Sequence, residues 1–398
     1  LGDVYKRQDR TQMSEAEGKL WWRMRRSALL LSTLFLSWAS AAERAPWRDP
    51  SAHKVRFMTV AENVQLETLD WGGRGRPIVL LAGGGNTAHV FDDFALRLRQ
   101  HYRVYAVTRR GSPPSSIPEN SYSADQLGDD VVAVIASLKL TSPVVVGHSY
   151  AGFELSNIAS RHPEKIAGVI YLDAFHSLDP DYEAEGFYRI VEWKQQLRDF
   201  ETKFDQLMAE PFDSRPIARQ MLQESLPQLQ AILQRLVRIE DGRPPRPDPT
   251  SADLESFRAV QAWYAQGAKV VIPEAEFRMM HAADVDGRPL MKFRRPSFVG
   301  PQMEAAKRSY TDVRVPALGI FAAMNDPGLV KDGDLEARSN AEAFVWFQDE
   351  RVRRQMALFQ RDLPQARVVR IERADHYVFL SNPDEVVEQM RAFTATLP

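Results

Sequence analysis

The chain has 398 residues, is 44% hydrophobic and 26% charged, and carries a formal net charge of −2. That is the composition of an ordinary globular protein, and so even a charge balance gives no sign of a nucleic-acid partner, whose binders usually carry a basic excess. There is no cysteine, which excludes disulfides, thiolate zinc sites and a cysteine nucleophile.

In chain order, the first recognisable element is Met24-Arg25-Arg26 followed by "SALLLSTLFLSWASAA". A basic start, an apolar run and a small-residue end are the order of a secretory signal. Cleavage is expected after Ala41, and the residues before Met13 are set aside. The run is shorter than the roughly 20 residues a spanning helix needs, so export to the periplasm or medium is favoured over an N-terminal membrane anchor. No stable membrane insertion is expected after cleavage.

Residues 53–60 and 64–69 read as an opening antiparallel strand pair. Continuous apolar runs then recur at 77–81, 102–107, 143–146, 167–172, 317–322 and 366–371. Strands buried on both faces read this way, without alternation. Helical patterns lie between the runs, one opened by Ser123-Ala124-Asp125 and the last by Pro383 at a first-turn position. Strands alternating with helices predict an α/β fold, a mostly parallel eight-stranded sheet with helices on both faces. Ligands on such sheets bind at the carboxyl ends of the strands.

The alternation stops over residues 174–315. Ile190, Trp193, Leu197, Phe200, Phe204 and Leu207 form one apolar helical stripe, and a second runs from Met221 to Leu236, bent at Pro227. The stretch "DGRPPRPDPT" is a proline-rich loop. The block is expected to be a helical lid inserted between strands six and seven. The predicted organisation is 1–41 upstream residues and signal, 42–173 first part of the core, 174–315 lid, and 316–398 second part of the core.

Within "VVVGHSYAG", Gly147 is alone among the 21 glycines in having serine two positions on. A buried strand precedes it and a helix follows. On a strand-to-helix elbow a nucleophile is strained, and the residues two positions either side must be small. Gly147 and Ala151 satisfy that, making Ser149 the candidate nucleophile. A serine needs a base and the base an orienting acid. Of the eight histidines, His376 lies in the loop after the last strand and is the candidate base. His148 adjoins the serine but is expected to point elsewhere. Asp326, in "GIFAAMNDP", suits the chain order nucleophile, acid, base. Asp173, ending "IYLD", is its rival, with a strand-end structural role as the alternative. The loop "LLAGGGNTAHVF" lets backbone approach a substrate closely, so the N–H groups of Gly84 and Tyr150 are the candidate oxyanion hole. The loop lacks the Lys-Ser/Thr of a P-loop and the spacing of a dinucleotide fingerprint.

Together "LLAGGGNTAHVF", "TRRGSPPSS", "VVVGHSYAG", "IYLDA", "AAMNDP" and "RADHYVFLSNP" resemble the α/β-hydrolase superfamily in order and spacing, over about Lys54 to Asp173 and Val315 to Leu397. The resemblance implies a Ser149–Asp326–His376 triad in a serine esterase or lipase-like hydrolase. Two departures stand: Ala82-Gly83 replaces the common His-Gly of the oxyanion loop, and Ala151 replaces the second elbow glycine. Epoxide hydrolases and haloalkane dehalogenases of this fold use an elbow aspartate, and Ser149 argues against both. The expected activity is hydrolysis of a small-molecule acyl substrate through an acyl-enzyme, with no metal or organic cofactor. A lyase, a cofactor-free oxygenase or a non-catalytic binding protein on the same fold are the alternatives. Aromatic and methionine residues of the lid (Phe187, Tyr188, Trp193, Trp263, Tyr264, Phe277, Met279, Met280) suggest an apolar pocket, or simply pack the lid onto the core.

Overall fold

A computed structural model describes residues 47–174, 176, 191–209, 214–243, 248–268, 270–310, 312–323 and 334–398, the side chains of 191–196 excepted. The predicted signal, Phe187, Tyr188, Ile190, the side chain of Trp193 and Asp326 lie outside the described residues. The chain divides after Pro50. Residues 47–50 carry no helix or strand, and the unit Ser51–Pro398 is described below.

Strands β1 (Lys54–Ala61) and β2 (Val64–Gly72) form the expected antiparallel pair. After β3 (Pro77–Leu81) come α1 (Asp92–Leu98), β4 (Arg103–Val107), α2 (Ala124–Ser137), β5 (Val144–His148), α3 (Ala151–Arg161) and β6 (Gly168–Leu172). The Ser123 hydroxyl caps α2 by accepting from the Gln126 N–H at 3.2 Å, the stabilising role of a helix-start serine.

The segment inserted between β6 and the next strand of the main sheet, the cap, carries α4 (Val191–Ala209), α5 (Arg215–Gln220), α6 (Leu226–Asp241), α7 (Phe257–Ala268) and α8 (Glu274–Met280). A π-helical turn at Met221–Ser225 joins α5 to α6, with Pro227 in the first turn of α6. Here an all-helical expectation is corrected. β7 (His281–Ala283) and β8 (Pro289–Phe293) make an antiparallel hairpin before α9 (Val299–Ala305). Its turn is local chemistry: Asp284 Oδ1 accepts from the N–H groups of Asp286 and Arg288, and Gly287 takes a φ of 79°. Asp and Gly at such positions are turn formers.

The core resumes with β9 (Ala317–Ala323), α10 (Leu335–Asp362), β10 (Arg367–Glu372), α11 (Val378–Ser381) and α12 (Pro383–Thr394). The sheet order is β1-β2-β4-β3-β5-β6-β9-β10. It is parallel from β4 to β10, with β1 and β2 antiparallel at one edge. The predicted eight-stranded, mostly parallel sheet is therefore present.

Alternate strand residues feed opposite faces. Ile78, Leu80, Val144, Val146 and Ile170 pack with Phe91 and Phe94 near α1 and with Val386 and Met390 of α12. Val79, Val145 and Val169 pack with Val131 of α2, Leu155 of α3 and Val352 of α10. Burial of such a side chain contributes about 1.5–3 kcal/mol, which is why these runs need no polar face. The winding reverses between β3 and β5, which are direct neighbours with Leu81 opposite Gly147. The loops leaving these two strands flank the crevice where such sheets bind ligands.

Candidate active site

Ser149 follows β5 with a φ of 54°, a left-handed conformation that non-glycine residues hold only under constraint. Its N–H donates to the Leu172 carbonyl at 3.3 Å, and its own carbonyl accepts from Gly152 in the first turn of α3. The need for a small residue two positions earlier is met: a Cβ on Gly147 would lie 2.9 Å from Leu155 Cγ and 3.1 Å from Ala151 Cβ. Tyr150 stands at the start of α3, beside the serine.

His376 lies beyond β10, and its Nδ1–H donates to Asp173 Oδ2 at 2.7 Å. This is the described carboxylate on that imidazole, the one that chain order ranked second; Asp326 lies outside the described residues. Asp173 ends β6 with a φ of 42°. Its own N–H donates to the Ile320 carbonyl at 2.7 Å, and its Oδ1 accepts from the Ala322 N–H at 3.1 Å. The carboxylate thus reaches across the end of β9 to a histidine delivered by β10. Burial pushes its pKa up, but the His376 imidazole, Arg351 and the Ala322 N–H outweigh that and hold it below the ordinary carboxylate range.

His148 packs against the loop that carries His376. Its ring lies 4.5 Å from that of His376 and 5.1 Å from that of Phe379, and its Nε2 donates to the His376 carbonyl at 2.9 Å. Burial, then the neighbouring His376, push its pKa down to about 3. It is a neutral prop beneath the His376 backbone. The bonds of His376 go to Asp173 and His148. No hydrogen bond joins it to the Ser149 hydroxyl among the described residues, so elbow and imidazole–carboxylate pair are adjacent parts rather than a closed chain. The His376 side chain is 38% exposed while Asp173 is buried, which puts the imidazole on the open side.

The glycine loop packs on the elbow. A Cβ on Gly83 would meet His148 Nδ1 at 3.1 Å and Ser149 Cβ at 3.3 Å, so the loop lies tightly against the elbow. Arg109, from the loop after β4, donates to the Ala82 carbonyl at 2.7 Å and the Gly83 carbonyl at 3.2 Å. Its guanidinium is held by Glu154 of α3, through Nε to Oε1 and Nη2 to Oε2. Because the peptide is planar and trans, turning the Gly83 carbonyl toward Arg109 turns the Gly84 N–H the other way.

From the cap, Glu276 of α8 grips the far end of the same loop. It is fully buried and accepts from Asn86 Nδ2 at 3.0 Å, the Thr87 N–H at 2.9 Å and the Thr87 hydroxyl. Asn86 Oδ1 in turn accepts from the Tyr377 hydroxyl, next to His376, at 3.2 Å. Burial raises the Glu276 pKa to about 7, against the opposing bonds from Thr87 and Asn86. Neither Arg109–Glu154 nor Glu276 stood out in the sequence. Nothing in local pattern marks a charge whose partner lies 189 residues away, as Thr87 does from Glu276.

Most other histidines are tied to structural partners. His162 faces Asp129 and His176 faces Asp362, both at 2.9 Å; His281 stacks on Phe293. His53 contacts Asp92 at 2.9 Å, and His89 contacts Glu67 at 3.3 Å. Of the cap aromatics, Phe277 is buried in the main core cluster, with Trp263 and Tyr264 packed against it. That supports their role in fastening the cap.

The model of the alpha/beta hydrolase family matches residues 78–389. The chain belongs to that family. Among curated relatives, a non-heme haloperoxidase of Rhodococcus erythropolis is 36% identical over 107 residues, covering 27% of this chain and 39% of that protein. A bifunctional esterase/perhydrolase of Acinetobacter calcoaceticus is 29% identical over 123 residues, covering 30% of this chain and 44% of that protein. The chain spans less than half the length of these relatives. The crystal structure of E-2-(acetamidomethylene)succinate hydrolase aligns with a TM-score of 0.53 at 19% identity, over 86% of this chain and 100% of that one. This last likeness is one of fold.

Proposed function

We propose that this alpha/beta hydrolase is a serine hydrolase that cleaves a carboxylic ester or related acyl compound through an acyl-enzyme. The observation that carries the reading is the His376–Asp173 pair at 2.7 Å, set at the strand ends beside a left-handed Ser149. With Nδ1–H held by Asp173, Nε2 is the basic nitrogen. It takes the Ser149 proton as Oγ attacks the acyl carbon. Asp173, not Asp326, then fills the acid's role, keeping the tautomer and stabilising the imidazolium. The N–H groups of Gly84 and Tyr150 hold the oxyanion, Gly84 being oriented by the Arg109 bond to the preceding carbonyl. Fixed donors of this kind cost no reorganisation during reaction. His376 returns the proton to the leaving alcohol. A water, deprotonated by the same nitrogen, then releases the acid and regenerates Ser149. The esterase/perhydrolase among the relatives is consistent with acyl chemistry at such a site.

The cap, residues 174–315, serves as the lid in this reading. The pattern from Met24 to Ala42 supports export with cleavage after Ala41, checked by N-terminal sequencing of protein recovered from outside the cytoplasm. The catalytic reading is tested by a fluorophosphonate probe with mapping of the labelled residue. Labelling at Ser149, lost in Ser149→Ala and His376→Ala, is the expected result. A folded protein that takes no label and hydrolyses no p-nitrophenyl ester overturns it.

A further inference from the structure

The cap brings to the oxyanion loop a cation with no carboxylate partner among the described residues. Arg295, just after β8, is half-buried and donates through Nη1 to the Gly84 carbonyl. Three other buried or half-buried guanidiniums are each paired with a carboxylate. Arg109 holds Glu154, Arg110 holds Asp130 at 2.6 Å, and Arg278 holds Glu274 at 2.7 Å. Arg295 pairs with no carboxylate among the described residues; its described partner is a neutral carbonyl. Burial and the nearby Arg109 push its pKa down, the mark of an uncompensated charge, though a guanidinium stays protonated throughout.

Its location is as telling as its charge. A Cβ on Gly84 would lie 3.2 Å from Tyr150 Cβ, and one on Gly83 3.3 Å from Ser149 Cβ. Arg295 therefore stands over the loop residue next to the one packed on the nucleophile. Desolvating an unpaired charge is unfavourable, and a neutral donor would serve as well if the contact only fastened cap to loop. Nη1 is on the Gly84 carbonyl and Nη2 lies beside Gly300, 3.8 Å from where a Cβ there would stand. The fork has no second acceptor among the described residues, and a guanidinium fork matches a carboxylate in two-point geometry.

We propose that Arg295 is a substrate-anchoring residue for a carboxylate, and that the preferred substrates are acyl compounds carrying a free carboxylate close to the scissile bond. The inference rests on the acyl-transfer reading above, and the experiment separates the two. Mono-p-nitrophenyl glutarate and p-nitrophenyl pentanoate, matched in acyl chain length, are compared on the wild type, Arg295→Gln and Arg295→Lys. Glutamine keeps a donor for the Gly84 carbonyl and deletes the charge. The wild type is expected to favour the glutarate ester in kcat/KM. Arg295→Gln should lower the glutarate-to-pentanoate ratio by at least about tenfold, the size of a lost charge-assisted hydrogen bond, and Arg295→Lys should recover part of it. A ratio that stays within about twofold in Arg295→Gln, too small for such a bond, overturns the Arg295 assignment while leaving the esterase intact. If the wild type cleaves neither ester, it is the acyl-transfer reading that fails. Glutarate binding by calorimetry then decides Arg295 alone: binding weakened in Arg295→Gln supports the anchor, and equal or absent binding sinks it.

Discussion

The sheet and the cap treat their apolar residues in opposite ways. Val144, Val145 and Val146 on β5 are wholly buried, as are Val169 and Ile170 on β6. On α4 of the cap, Phe204 is 47% exposed and Met208 72% exposed. A central strand is covered on both faces by helices, so each apolar residue finds a partner whichever way it points. A cap helix has one side to offer, and the stripe of α4 is only partly covered. The same contrast runs through the candidate active site. The core contributes Ser149, His376 and Asp173 on strand ends held by sheet hydrogen bonds. The cap contributes Glu276 and Arg295, which reach the glycine loop as polar contacts.

The comparison predicts where substitutions strike, and the largest effect belongs to the core half of the site. Asp173→Asn should lower kcat/KM by about ten-thousandfold, the scale seen when a triad acid is neutralised, while Asp326→Asn should cost less than about tenfold. The reverse order in steady-state kinetics would return the acid's role to Asp326. Ile170→Ala, in the wholly buried strand, should destabilise by about 2–5 kcal/mol, measured by denaturant unfolding. A smaller loss would mean that the sheet centre collapses around the cavity.

The cap contact adds a pH dependence. The Glu276 carboxyl sits at about 7 against an ordinary 4.5, so between those values the native state keeps a proton that the unfolded chain releases. Stability from this group is complete below pH 4.5 and is lost as pH rises through 7. The total is about 3 kcal/mol, at 1.36 kcal/mol per pH unit. Glu276→Gln should flatten that part of the stability–pH curve in thermal melts from pH 4 to about 8; an unchanged slope would place the titration elsewhere. The smallest effect is expected at Phe204. Phe204→Ser should change stability by less than about 0.5 kcal/mol, and a larger loss would show that α4 is covered by something beyond the described chain.

What the sequence determined by itself was encoded in short stretches. Continuous apolar runs marked the six parallel strands because strands buried on both faces have no polar side to alternate with. Gly147 and Ala151 marked Ser149 because an elbow tolerates no larger neighbours, and His376 was reachable from its place after the last strand. The cap hairpin was missed although its Asp-Gly turn was local, because three-residue β7 is too short to show a period. Pairings between distant segments were decided by tertiary structure alone. Asp173 and His376 are 203 residues apart, and Arg295 and Gly84 are 211. Which carboxylate meets the imidazole depends on β6 and β10 flanking β9 in the sheet order. Chain order says nothing about that neighbourhood, because the sheet order departs from the order of the strands along the chain.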